Sequence, residues 1–163
     1  MPARQMAIST ARYSFDSNVI INPWNRQYPR DVFPGFWRDI EELIENGLAI
    51  CAEEVRREIE HKDDDINHWL TDRAHMIVPF DRGIEEAYIE VINKFRAYAK
   101  RTQARNQADP VVIALAMSRN LVVVTEEKRE PGSASPKIPD VCDHFGVVCL
   151  SIVEMMRKEG WSY

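Results

Sequence analysis

The sequence lacks the means to build a disulfide framework or a structural zinc site: its three cysteines, Cys51, Cys142 and Cys149, are odd in number and form no C-x-x-C pair. They read as buried, reduced thiols. Histidines are few as well. His61, His68 and His75 recur at regular spacing, but Asp63 to Asp65 and Pro79 break a continuous helix through them, so no histidine metal site is expected. The acids at 63, 64 and 65 lack the turn glycine that a calcium loop needs. No apolar run approaches the roughly 20 residues of a membrane span, and the opening "MPARQMAIST" has no continuous apolar segment of the signal-peptide kind. A cytoplasmic protein without membrane contact is the expectation. Internal repeats, low-complexity tracts and composition shifts are absent too, so residues 1–163 read as a single domain.

What is present is an ordinary globular composition, 45% hydrophobic and 29% charged. A chain of 163 residues buries roughly two-thirds of the surface its unfolded form exposes, enough for one enzyme-sized core. The net charge is −5, yet the signs are segregated. From Val91 to Ala108 there is no acid, while Lys94, Arg96, Lys100, Arg101 and Arg105 fall in that interval. Such a run is either a solvated helix face or, on an otherwise acidic protein, a patch that contacts phosphates. On the second reading Lys94, Lys100, Arg101 and Arg105 are the candidate phosphate contacts.

Apolar periodicity predicts alternating strands and helices. A strand is expected over residues 12–21, a helix in "FPGFWRDIEELIENG" stopped by Gly47, a short strand over 48–52 and a helix over 53–61. "DDDINHWLTDR" predicts another helix and "MIVPF" a brief extended piece. A long amphipathic helix is expected from Ile84 to Ala99. "ADPVVIALAMSRN" is apolar enough for a buried helix, and "LVVVT" reads as a core strand. A loop rich in Pro, Gly and Ser leads to a short helix near Val141, a strand "GVVCL" and a helix from Ser151 toward Gly160. Strands separated by helices imply an α/β sandwich around a mainly parallel sheet.

Ligands of such sheets bind at the carboxyl ends of the strands, so acids there carry most of the functional information. Asp16 follows "YSF", Glu54 and Glu58 lie after the second strand, Asp109 opens the buried helix, and Glu126 and Glu127 follow "LVVVT". Carboxylates brought close repel one another unless they are protonated or bridged by cations. An all-oxygen ligand set favours Mg²⁺ or Mn²⁺ over zinc. Each acid also has a plainer reading. Asp109 before Pro110 suits a helix cap, Glu54 and Glu58 alternate with arginines on a helix, and Glu126 and Glu127 suit a surface loop. Trp24 and Tyr28 could stack on bases, but core or loop packing is the preferred reading of both.

In order along the chain, "FDSNVI", "EEVRREI", "ADPVVIALA" and "VVVTEE" resemble the acidic motif series of PIN-domain nucleases. Together with "IPDVC", the chain from about Tyr13 onward resembles a PIN-like family catalogued as of unknown function, with VapC-type toxins as relatives. The resemblance implies an α/β/α sandwich and metal-dependent hydrolysis of phosphodiester bonds in RNA with Mg²⁺ or Mn²⁺. It also implies a toxin held inactive by a cognate antitoxin, and a homodimer, since members are often dimers. Carried over by position, Asp16, Glu58, Asp109 and Glu127 are the implied catalytic and metal-binding acids. The departure is at Glu127, where the family commonly has Asp. That leaves Glu126, Glu127 and Asp140 open as the last acid and keeps alive an inactive module that binds RNA or protein. Asn18, Glu54 and Thr125 are secondary candidates, Thr125 as a hydroxyl that holds a neighbouring acid or a water. A covalent phosphotransferase built on Asp16 would expect a second acid where Asn18 stands.

Overall fold

The computed structural model describes residues 10–62, 64–99 and 107–163. Lys100, Arg101 and Arg105 of the candidate RNA-binding run therefore lie outside the described residues, as does Asp63. Five short strands, β1 (Tyr13–Phe15), β2 (Ala49–Ala52), β3 (Ile77–Val78), β4 (Val122–Val124) and β5 (Cys149–Leu150), form one sheet in the order β3-β2-β1-β4-β5 with every described pairing parallel. The helices between them are α1 (Asn18–Asn22), α2 (Pro34–Glu45), α3 (Glu53–Glu60), α4 (Asp64–Thr71), α5 (Arg82–Lys94), α6 (Asp109–Arg119), α7 (Ile138–Phe145) and α8 (Ile152–Glu159).

The topology follows from a simple rule. The chain steps outward from β1 to β2 to β3, then returns past β1 to continue as β4 and β5. Parallel crossovers are right-handed, so steps in opposite directions put their helices on opposite faces. Helices α2 to α4 cover one face and α5 to α7 the other, which is the expected α/β/α sandwich. Direction reverses between β1 and β4, and beyond the carboxyl ends of that pair the covering helices diverge and leave a crevice.

Local chemistry supports each layer. In α2, Phe36, Trp37, Ile40, Leu43 and Ile44 form the buried stripe, with proline in the first turn and Gly47 at φ +70° just past the end. α6 is buried from Asp109 through Ala116 and lies across β1, β2 and β4. Only small and aliphatic side chains fit a helix enclosed on so many sides, which explains its nearly unbroken apolar sequence. Ser14 in the middle of β1 is buried, and its hydroxyl donates to the Val112 carbonyl at 3.0 Å, tying strand to helix.

Three expectations need correction. The first strand ends at Phe15, not at residue 21, and Val19, Ile20 and Ile21 belong to α1, where Ile21 N donates to the Ser17 carbonyl at 2.9 Å. β-Branched residues favour strands, but burial of Val19 and Ile20 against the core overrides that preference. The amphipathic helix from Ile84 ends at Lys94 and does not reach Ala99, because Phe95 leaves helical geometry at φ −114° and ψ 74°. Asp109 is not a cap: Ala108 holds the cap position and Asp109 is the first residue of α6.

Candidate metal centre

Asp16 stands one residue beyond β1, where its backbone N–H still donates to the Val124 carbonyl of β4 at 3.0 Å. The acid is thus outside the strand and at the reversal point of the sheet, which answers why a carboxylate follows so apolar a segment. It is 3% exposed. Its Oδ1 accepts from Ser17 N at 2.8 Å and its Oδ2 from the Thr125 hydroxyl at 2.8 Å. Even so, burial pushes its carboxyl up to about 7, and the charges of Glu58 and Glu127 push the same way against those two hydrogen bonds.

Thr125, directly after β4, is the hub of the centre. Its hydroxyl donates to Asp16 and accepts from Asn18 Nδ2 at 3.3 Å and from Glu127 N at 3.1 Å. That uses all the capacity of one hydroxyl. Asn18 completes a second link, its Oδ1 accepting from Glu126 N at 3.1 Å. The segment 125–127 is thereby clamped to the start of α1, and the clamp aims Glu127 inward. Glu127 Oε1 also accepts from Ile138 N at the start of α7, at 3.2 Å.

The result is a constellation of three acids from three parts of the chain. One carboxylate oxygen each from Asp16, Asp109 and Glu127 lies within 4.8 Å of the other two, with Asp109 only 6% exposed. Glu58 stands outside this trio but reaches it through Ser17, whose hydroxyl donates to Glu58 Oε2 at 2.7 Å. The other oxygen, Glu58 Oε1, is buried with no hydrogen-bond partner. Buried, mutually repelling carboxylates with an orphaned oxygen beside them fit a hard divalent cation, and no His or Cys joins the trio.

The remaining candidates divide clearly. Glu126 turns away from the trio, its Oε1 accepting from Ile152 N at 2.7 Å at the start of α8. Asp140, in the first turn of α7, uses its Oδ2 to accept from Glu130 N of the preceding loop at 2.7 Å. Glu127 is therefore the one of these three acids that the fold brings to Asp16 and Asp109. Glu54, one turn before Glu58, faces a neighbouring cleft instead. Trp24 packs against Trp37 and Trp69, with centroids 5.2 and 6.0 Å away, and Tyr28 stacks on Phe36 at 4.5 Å, so both half-buried rings pack on the core. Lys94 is exposed at the end of α5. Ser17 was not among the candidates, although it bonds both Asp16 and Glu58. The only signal was its place directly after the acid in "FDSN".

The profile of a domain of unknown function, DUF4411, matches residues 13–163. The chain belongs to the DUF4411 family. No curated protein matches this DUF4411 sequence. Solved structures do match its fold. A chain of VapBC2 from Rickettsia felis, bound to a DNA fragment from their promoter, superposes with a TM-score of 0.53 at 14% identity, over 85% of this chain and 97% of its own. A chain of DNA-bound VapBC from Salmonella typhimurium gives a TM-score of 0.54 at 15% identity, over 86% and 98%. A chain of FitAB bound to an IR36 DNA fragment gives 0.51 at 21% identity, over 85% and 94%. This DUF4411 chain therefore has the PIN-like fold that its motif series implied, and at such identities the likeness carries the fold alone.

Proposed function

We propose that the chain is a metal-dependent ribonuclease that hydrolyses phosphodiester bonds in RNA, acting as the toxin of a toxin–antitoxin pair. One observation carries the reading: three carboxylate oxygens from Asp16, Asp109 and Glu127 converge within 4.8 Å at the reversal point of a parallel sheet. Asp16, Asp109 and Glu127 would hold Mg²⁺ or Mn²⁺, with Glu58 as the fourth acid through its orphaned Oε1. Held there, such an ion would supply Lewis acidity, easing loss of a proton from water and offsetting charge on the phosphate. The chain's own part is preorganisation. Thr125 and Ser17 fix both oxygens of Asp16, and the Ile138 amide fixes one oxygen of Glu127, so the acids need little rearrangement as the phosphate enters. The longer side chain at 127 is accommodated by that anchor at the start of α7, which favours an active centre over an inactive module. The neighbours' names, VapBC and FitAB, support a protein partner that acts as an antitoxin.

The test is cleavage of single-stranded RNA by purified protein. Cleavage is expected with Mg²⁺ or Mn²⁺ and lost in excess chelator. Asp16→Asn and Asp109→Asn are each expected to reduce it at least a hundredfold with the circular dichroism spectrum unchanged. Full activity in chelator, or in either variant, would overturn the metal mechanism. RNA binding without cleavage would favour the inactive binding module.

A further inference from the structure

Beside the acids lies a cleft of about 540 Å³, within the usual size range for small-molecule sites. Its walls come from distant parts of the chain: Glu54 and Arg57 of α3, Phe80 from the loop before α5, Tyr88 of α5, Tyr98, and Pro110 of α6. Pro110 directly follows Asp109, and Glu54 is one helical turn from Glu58, so the cleft borders the two helices, α6 and α3, that carry two of the acids. Phe80 and Tyr88 meet edge to face with centroids 5.7 Å apart, and Phe80 is 43% exposed. Arg57 is exposed and has no ion pair among the described residues. Glu54 Oε2 is buried with no hydrogen-bond partner.

Resting on the ribonuclease reading, we propose that this cleft seats the base next to the scissile phosphate and that the base is guanine. Exposed aromatic rings beside a cation suit an unstacked nucleotide, the ring taking the base and the cation the phosphate. A carboxylate supplies two acceptors side by side and no donor. Guanine matches it, because N1–H and the N2 amino group are adjacent donors on one edge. Adenine and cytosine each place an acceptor beside their amino group, and uracil places a carbonyl on either side of its N3–H, so all three bring a lone pair against the carboxylate. An orphaned buried carboxylate oxygen is costly in the empty cleft, and two donors from the ligand relieve that cost. The terminal torsion of Glu is broad, so turning the carboxylate toward a ligand meets little resistance.

The test needs no cleavage. Binding of GMP, AMP, CMP and UMP is measured by calorimetry in chelator, for the wild type, Glu54→Gln and Tyr88→Ala. GMP is expected to bind at least tenfold tighter than the other three. Glu54→Gln should erase that preference, since the amide swaps one acceptor for a donor, and Tyr88→Ala should weaken all four nucleotides roughly tenfold. GMP is also expected to shift amide resonances of Phe80, Tyr88 and Pro110's neighbours in the wild type, a readout that survives any variant that fails to fold. Equal binding of the four nucleotides, a preference that survives Glu54→Gln, or shifts confined elsewhere would overturn the assignment. Guanine-selective binding by a protein that cuts no RNA would overturn the ribonuclease reading and leave the base site standing.

Discussion

At the residue scale, Asp16 couples the centre to the stability of the whole fold. Its ordinary carboxyl pKa of about 3.9 applies in the unfolded chain, whereas burial holds it near 7 in the folded, metal-free protein. Between those values the native state keeps a proton that the unfolded state has lost, so stability falls as pH rises through the window. The contribution is fully present below about pH 4 and gone above about pH 7, a difference on the order of a few kcal/mol. Asp81 and Asp143, lowered by a backbone amide and by Arg129 respectively, act with the opposite sign near pH 4, so a variant is needed to isolate Asp16. Denaturation in chelator at pH 5 and pH 8 is expected to show Asp16→Asn losing most of the wild-type decline and becoming the more stable protein at pH 8. Identical pH dependence in the two proteins would mean that Asp16 is ionised in the native state throughout. Added Mg²⁺ should stabilise the wild type most at pH 8, because the cation competes with that proton.

At the element scale, α7 and α8 explain why adjacent glutamates have different fates. Glu126 accepts from the first amide of α8, beside the Ser151–Glu154 capping box, whereas Glu127 shares its carboxylate between the start of α7 and the trio. Glu126→Ala is expected to cost about 1 kcal/mol, a charge-assisted cap lost from one helix, which lowers the melting temperature by about 2–4 °C, with cleavage retained. Glu127→Gln is expected to keep the melting temperature and lose cleavage. Paired thermal melts and RNA assays decide this, and the opposite pattern would assign the last acid to Glu126. The sequence could not separate the two, since both follow the same strand and only the amides of α7 and α8 distinguish them. Elsewhere the element pattern was largely legible, because helices such as α2 carry their apolar face in period and the strands are short, mostly apolar runs such as Val122–Val124. Its failures lie where tertiary contacts decide. Val19 to Ile21 look like strand and are helix, Phe95 ends a helix whose apolar period runs on, and the base cleft joins α3, α5 and α6 with no local signal. Asp16 and Asp109 could be singled out because a strand end and a buried helix start are local features, whereas Ser17's bond to Glu58 crosses 41 positions.

At the scale of the whole molecule, the ribonuclease reading requires an acidic protein to approach a polyanion. The net charge of −5 and the acids of the centre oppose RNA until a cation binds, so attraction has to be local. The acid-free interval from Val91 to Ala108 is where the sequence concentrates it, with five basic residues and no compensating carboxylate. Each phosphate neutralised on a single strand contributes about 0.7 to the slope of log affinity against log salt. If Lys100, Arg101 and Arg105 each meet a phosphate, reversing all three to Glu removes about 2 from that slope and weakens binding most at low salt. Mg²⁺ binding is expected to be retained, since none of Asp16, Glu58, Asp109 and Glu127 is altered by the three reversals. The measurement is RNA affinity of an Asp16→Asn background, which is expected not to cut its ligand, titrated from low to high salt with and without the three reversals. An unchanged affinity and slope would make the run a solvated surface and would move the phosphate contacts to Arg57 and the cleft beside the acids.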